Sequence, residues 1–496
     1  MLKRAKARAP ERGIHAASTR FDLGNVKPLR AGIGRWLPAL LYLLIVPWNL
    51  QSQGPSPAEA SWPKFRGDLL NTGSTTSSAP RQGHLAWSTQ IRGAREFWSS
   101  PAAVKNRLYV GNSNGNLYCL DANNGDLIWT FYGDSYAIFS SPTVANGKVF
   151  FGAADRKIYA LPAEDPNSDG TIAKSEIIWE YTVGPSTGGV NNVIPSSPAI
   201  QDGKMFLGAI DQYFYCFDAQ SGEVLWKTWT PYRGQHAFSS SPALYKGKVF
   251  AATGNQPGRD SSGRLYCFDE QNGRILWEFD IDDITYSSPV IDRENDLVII
   301  ANSGDWIANA GNRTYRLYAL AVEGAVEGVD AGVPDDHSGN SDLIWSYDTR
   351  RYVYSSPALH AGRLYFGGSD GNLRCLDAKT GKTVWICETP TRGGSGIMGS
   401  PAIADGLVFV GTADGRLIAV PEEDPNRDGM IAPEEIVWSS TLGGKIVCSP
   451  AIADGAVYIG GYDGTLYCFR SAEVQEAKTA NEPSATKPQP KPENEP

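Results

Sequence analysis

The sequence predicts an all-β fold, an eight-bladed β-propeller of four-stranded antiparallel blades closed by exchange of strands between the N- and C-terminal ends. Three observations lead there. A phrase opening on Ser-Ser-Pro, or a near variant, recurs at prolines 101, 142, 198, 242, 289, 357, 401 and 450. Each copy holds short stretches of alternating apolar residues, and a four-strand repeat of about 40–50 residues is the signature of a propeller blade. The tryptophans give an independent count of eight, at 87, 129, 179, 226, 277, 345, 385 and 438. Trp87 precedes the first phrase and no tryptophan follows the last, so the strand around Trp87 is expected to complete the eighth blade and close the ring.

The elements follow in chain order. Residues 1–60 carry nine of the 45 Lys/Arg and three of the 54 Asp/Glu, then the apolar run WLPALLYLLIVPWNL at 36–50 and an Ala58-Glu59-Ala60 site. This reads as a signal sequence or, if uncleaved, an N-terminal anchor, and either reading predicts an exported, periplasmic or cell-envelope protein. Residues 61–470 form the propeller, and the rest of the chain beyond residue 60 holds 36 basic and 51 acidic residues, a net charge near −15 that disfavours nucleic acid. Residues 471–496 are a Pro/Lys/Glu-rich tail without aromatics, expected to be disordered.

Within the blades, a tryptophan at the same place each time is expected to pack between neighbours, where a large ring buries most surface. Cys119, Cys216, Cys267, Cys375 and Cys468 share one repeat position that is Ala160, Ala319 or Ala419 elsewhere. They are expected as small buried fillers rather than a disulfide framework. Cys387 and Cys448 stand outside this pattern and could bridge only if the fold brings them together. With no C-x-x-C pair and no metal-ligand spacing among the five histidines, zinc is not expected.

LDANNGDLIW (120–129), FDAQSGEVLW (217–226), FDEQNGRILW (268–277) and LDAKTGKTVW (376–385) resemble the Asp-x-x-x-Gly-x-x-x-Trp docking motif of pyrroloquinoline-quinone-type (PQQ-like) β-propeller repeats. WPKFRGDLLNTG (62–73) is similar to the opening of such propellers, so the resemblance spans about residues 62–470. That family holds both quinone-dependent dehydrogenases and non-catalytic propellers such as the scaffold of the outer-membrane β-barrel assembly machinery. The resemblance to the dehydrogenase branch would imply adjacent cysteines over the cofactor, and this sequence has none. It also lacks a C-x-x-C-H haem site and a recognisable Glu/Asn/Asp set for a catalytic calcium. The expectation is therefore the non-catalytic branch with no catalytic residues. The alternative is a PQQ-dependent oxidoreductase with an atypical site.

Two segments fit D-x-N-x-D-G-x-I-x-x-x-E without a gap. In 165–176 the calcium-ligand positions fall on Asp165, Asn167, Asp169, the Thr171 carbonyl and Glu176; in 424–435 they fall on Asp424, Asn426, Asp428, the Met430 carbonyl and Glu435. Calcium takes six to eight oxygens, and this spacing wraps them around one ion with a glycine at the sharp turn. Strands flank both loops, so they are expected as structural calcium sites inserted at one hairpin of blades 2 and 7, not as helix-paired sensors. For binding, loops into the inner strands surround one mouth of the channel and bring Arg233, His236 and Arg351 together with Trp98 and Tyr354. Trp306 breaks the repeat pattern and is the expected anchor for a protein or peptide partner of the envelope.

Overall fold

The computed structural model describes residues 61–472, apart from 135, 186–192, 231–235, 256–262, 282–284, 304–314, 325–342 and 390–395. The segment 1–60 and nearly all of the C-terminal tail lie outside the described residues. Blade 1 runs outward from the axis as Ala102–Val104, Arg107–Gly111, Asn116–Asp121 and Leu127–Tyr132, and the same up-and-down order recurs in eight sheets. The first hairpin of most blades turns on two residues with positive φ, such as Asn146 (50°) with Gly147 (72°) and Asp405 (51°) with Gly406 (72°). Turns of this type match the twist of the strands they join.

Blade 8 is assembled from both ends of the chain. Its inner strands Ala451–Ala453, Ala456–Gly460 and Thr465–Arg470 are completed by His84–Gln90, with Trp87 opposite Cys468. The expected closure is thus present, and no blade of the ring is left with a missing outer strand.

The shared cysteine position has a specific partner. Trp129 stands across the ladder from Cys119, Trp226 from Cys216, Trp277 from Cys267, Trp385 from Cys375 and Trp87 from Cys468. Trp179, Trp345 and Trp438 face Ala160, Ala319 and Ala419 in the same way. A small residue directly opposite leaves room for the indole on that face of the sheet. Each indole N–H then donates to a main-chain carbonyl at the next blade's outer hairpin, for example Trp87 to Ala122 at 3.2 Å, Trp129 to Ala163 at 3.2 Å and Trp438 to Pro80 at 2.9 Å. The glycine of the docking motif lies against the ring: a Cβ on Gly125 (φ 77°) would fall 2.6 Å from Trp87. All seven cysteines are free and buried, Cys387 and Cys448 included. Cys448 instead replaces the first serine of its blade's opening phrase, its sulfur accepting the Gly460 amide at 3.3 Å.

The Ser-Ser-Pro phrase also has a physical reading. The first serine ties the incoming loop to the second strand, as where Ser355 Oγ accepts the Gly367 amide at 3.1 Å. The second serine ties blade to blade. The amide of Ser100 donates to Ser141 Oγ, Ser141 to Ser197, Ser197 to Ser241, Ser241 to Ser288, Ser288 to Ser356, Ser356 to Ser400, Ser400 to Ser449, and Ser449 back to Ser100. The eight bonds, 2.8–3.0 Å long, make a closed ring around the axis.

Candidate functional site

The innermost strand of a blade has no further strand beside it, so its axial amides need acceptors from elsewhere. Residues 62–75 supply them. The carbonyls of Trp62, Pro63, Leu69, Leu70, Thr72 and Gly73 accept the amides of Ala103, Val144, Leu244, Ile291, Leu359 and Ile403 at 2.8–2.9 Å, reaching blades 1, 2, 4, 5, 6 and 7. Ser74–Thr75 then pairs in parallel with Ala402–Ala404, and Ser77 Oγ accepts the Gly455 amide of blade 8 at 3.1 Å. The segment that resembles a family opening is therefore a plug in the channel.

The plug carries buried polar side chains. Arg66 donates to the carbonyls of Pro401 and Pro357, and Asn71 Nδ2 to those of Pro242 and Pro289 at 3.2 and 2.9 Å. Lys64 Nζ donates to the carbonyls of Phe65 and Asp68 and to Asn71 Oδ1, all within 2.8 Å. Burial pushes the Lys64 ammonium down to about 7 and the Arg66 guanidinium down to about 9, with Asp68 pulling each the other way. Sequence reasoning missed these residues because charged side chains are rarely buried and the segment occurs only once, so no repeat exposed its role.

At the other end lies the mouth. Both sets of loops there share one face, as amides of the second-to-third strand loops bond to the incoming loops: Ser113 to the Glu96 carbonyl, Ala154 to Ala137, Ser369 to Tyr352 and Tyr462 to Lys445, at 2.9–3.1 Å. In four blades the residue just before the opening phrase is aromatic, Trp98, Phe139, Tyr286 and Tyr354, and these form a collar. In it Trp98 packs against Phe139 (ring centroids 5.6 Å apart) and Tyr462 (5.3 Å). On the opposite side of the ring Tyr354 packs against Tyr286 (5.9 Å) and Tyr352 (5.1 Å). Trp98, Tyr136 and Tyr286 are all exposed here. The Ser113 hydroxyl, 2.7 Å from Glu96, holds that carboxyl below its ordinary range.

Of the sequence-predicted partner residues, Arg351 is exposed on the loop into blade 6, its carbonyl accepting the Thr349 hydroxyl at 2.6 Å. His236 opens the short strand His236–Phe238, which pairs with Lys248–Asn255 of blade 4. Trp306 and Arg233 lie outside the described residues.

The two acidic loops occupy the predicted hairpin of blades 2 and 7 and share one set of amide-to-side-chain bonds, to which the first loop adds Asn167 Nδ2 to Glu176 at 3.1 Å and the Thr171 hydroxyl to Asp169 at 2.6 Å. Asp165 accepts the amides of Asn167, Ser168 and Gly170, and Asp424 those of Asn426, Arg427 and Gly429, at 2.7–3.2 Å. Asn167 accepts the Asp169 amide and Asp169 that of Thr171; Asn426 and Asp428 repeat this toward Asp428 and Met430. Glu176 and Glu435 fold back onto the amides of Ala173 and Ala432 at 2.8 Å. The Thr171 hydroxyl and amide hold the Asp169 carboxyl below its ordinary range. Among the described residues no three His, Cys, Asp or Glu side chains stand at metal-holding distances. The donor set does fit a hard cation, being all oxygen and including the Asn side chains and the carbonyls at Thr171 and Met430.

These loops also cover the preceding blade. Thr171–Ile172 adds in parallel to the outer strand of blade 1, and Met430–Ile431 to that of blade 6. Ile172 packs in the cluster of Trp129, and Ile431 in that of Trp385. Those two tryptophans are 0% and 1% exposed, whereas Trp87, Trp179 and Trp345 retain 7–9%.

Compared with known proteins, the chain matches a sequence model of the family described as outer membrane protein assembly factor BamB over residues 71–169, 171–333 and 339–493. It is 25% identical over 387 residues to the outer membrane protein assembly factor BamB of Salmonella typhimurium, covering 67% of this chain and 88% of that protein. A polyvinylalcohol dehydrogenase of Sphingopyxis is 28% identical over 220 residues, covering 38% of this chain and 32% of that protein. The crystal structure of a quinohemoprotein alcohol dehydrogenase from Comamonas testosteroni shares the fold, with TM-score 0.60 and 16% identity over 82% of this chain and 80% of that one. With its eight blades matched almost from end to end, this chain belongs to the outer membrane protein assembly factor BamB family of propellers.

Proposed function

We propose that the protein is an exported, non-catalytic propeller that scaffolds protein assembly in the cell envelope, with the collar loops as its binding face and calcium bracing the rim. The observation that carries the reading is the match along the whole ring to outer-membrane assembly factors. Exposed aromatics at the mouth support it, since partly exposed Trp and Tyr anchor protein interfaces. The test is affinity capture from envelope fractions. An envelope protein is expected with the wild type and to fall by about thirtyfold or more, at least the loss of one interfacial anchor, when both Trp98→Ala and Tyr286→Ala are made. Capture that ignores both substitutions would refute the collar as the binding face.

The PQQ-dependent oxidoreductase remains the second reading, favoured by the likeness to polyvinylalcohol dehydrogenase. Sustained turnover of alcohols with added quinone, calcium and an artificial electron acceptor would replace the scaffold reading.

In the rim loops calcium would be held by Asp165, Asn167, Asp169, the Thr171 carbonyl and Glu176, and by Asp424, Asn426, Asp428, the Met430 carbonyl and Glu435. Each site is expected to add about 2.7 kcal/mol when calcium stands a hundredfold above its Kd. Chelation should therefore lower the melting temperature and red-shift emission from Trp129 and Trp385. Asp165→Ala with Asp424→Ala should abolish both responses. If the double variant responds to chelator as the wild type does, the loops are turns and nothing more.

A further inference from the structure

The axis holds two buried cations that lack an ionic partner. Lys64 and Arg66 are 3% and 1% exposed, and every hydrogen-bond acceptor they reach is a neutral oxygen. The nearby carboxylate, Asp68, is taken by the Thr72 amide at 2.9 Å and the Thr72 hydroxyl at 2.6 Å. Arg66 Nε is buried and has no partner at all. A buried charge without an opposite charge is strongly disfavoured, so either the cations lose protons or a counter-ion accompanies them.

Directly above them is a set of unused donors. Arg66 rests on the carbonyls of Pro357 and Pro401, the residues that follow Ser356 and Ser400 of the serine ring, and Asn71 Nδ2 lies 3.4 Å from the carbonyl of ring member Ser241. Each ring Oγ is spent as an acceptor of a neighbouring amide, and none of the eight hydroxyl hydrogens has an acceptor among the described residues. The ring serines are 2–5% exposed, whereas the first serines of the phrase, such as Ser99, Ser140 and Ser196, are at 0%. The ring therefore borders a space that water-sized groups can reach.

We propose that this axial bore binds one oxyanion, a carboxylate or an inorganic oxyanion, between the hydroxyls of the serine ring and the Lys64–Arg66 pair. Hydroxyl donors stabilise an anion, and the cations below favour it while opposing any metal ion at the same place. Ser356 and Ser400 are the ring members beside Arg66 and carry most of the contact. The inference stands apart from the scaffold reading, because it depends on the axis and not on the collar's partner.

Crystals of the full chain soaked in selenate at pH 6 test it without any substitution. The expected result is an anomalous peak on the axis within hydrogen-bond reach of the ring. Axial density without anomalous signal, or selenate bound only at surface Lys and Arg as an adventitious ion only, overturns the proposal. Calorimetric titration of selenate should weaken about tenfold or more with Ser356→Ala plus Ser400→Ala, which remove two donors; unchanged affinity also overturns it. If that double variant does not fold, the soak alone decides. Competition against bound selenate separates the sources. Displacement by formate and by a peptide with a free C-terminus, but not by its amidated form, identifies a carboxylate ligand. Displacement by phosphate alone identifies an inorganic one.

Discussion

Trp129→Ala is expected to lower the unfolding free energy by about 4 kcal/mol, and Trp277→Ala by roughly half of that. Trp129 is fully buried, donates to the Ala163 carbonyl at 3.2 Å, packs at 5.9 Å against Tyr109 and sits under Ile172 of the blade 2 loop. Removing it opens a cavity that Cys119, opposite, is too small to fill. Trp277 makes the same type of hydrogen bond, to Val322 at 3.2 Å, but is only partly buried, and no strand among the described residues adds over it. Water reaches the gap there and replaces part of the lost contact. The shift in the denaturant midpoint measures both. Equal losses at the two sites would refute a protective role for the acidic loop.

Arg66→Ala is expected to destabilise by about 3–5 kcal/mol, the range for a buried side chain whose removal leaves polar partners unmet. The carbonyls of Pro357 and Pro401 lose their donor, and the space beside Gly73, where the guanidinium lies against the main chain, empties. Arg66→Met should fall between alanine and wild type. It refills the space and removes the cost of burying a charge, yet still leaves both carbonyls without a donor. Thermal unfolding ranks the three proteins, and an alanine variant that melts with the wild type would mean the plug contributes nothing to closure.

How much was legible in the sequence depends on repetition. Eight tryptophans and eight opening phrases gave the blade count and the shared eighth blade, because each blade solves the same packing problem with the same residues. Even so, the phrase was legible only as a marker. That its second serine passes a hydrogen bond to the next blade requires knowing that equivalent residues stand side by side around an axis. The pairing of each tryptophan with a cysteine or alanine is likewise a register fact, invisible until the strands are aligned. The plug was not legible at all. Lys64, Arg66 and Asn71 stand in a segment that occurs once, and the partners of Arg66 and Asn71, Pro242, Pro289, Pro357 and Pro401, are spread across four blades. The acidic loops were placed at the right hairpins from the strands that flank them, but their reach onto blades 1 and 6 depended on a two-residue strand with no pattern of its own.

The plug also sets an order of events in time. Its residues are made near the start of the chain, yet Arg66 reaches a carbonyl 335 positions later and another 291 positions later. The strand at Trp87 must likewise wait for Cys468. Contacts so distant in sequence form slowly, since the intervening chain has to be ordered first. The earliest residues of the propeller are thus the last to be secured. Until blades 6 to 8 exist, the opening segment stays loose and the inner edges of the first blades stay bare, a late and aggregation-exposed interval that any cell making this protein has to manage.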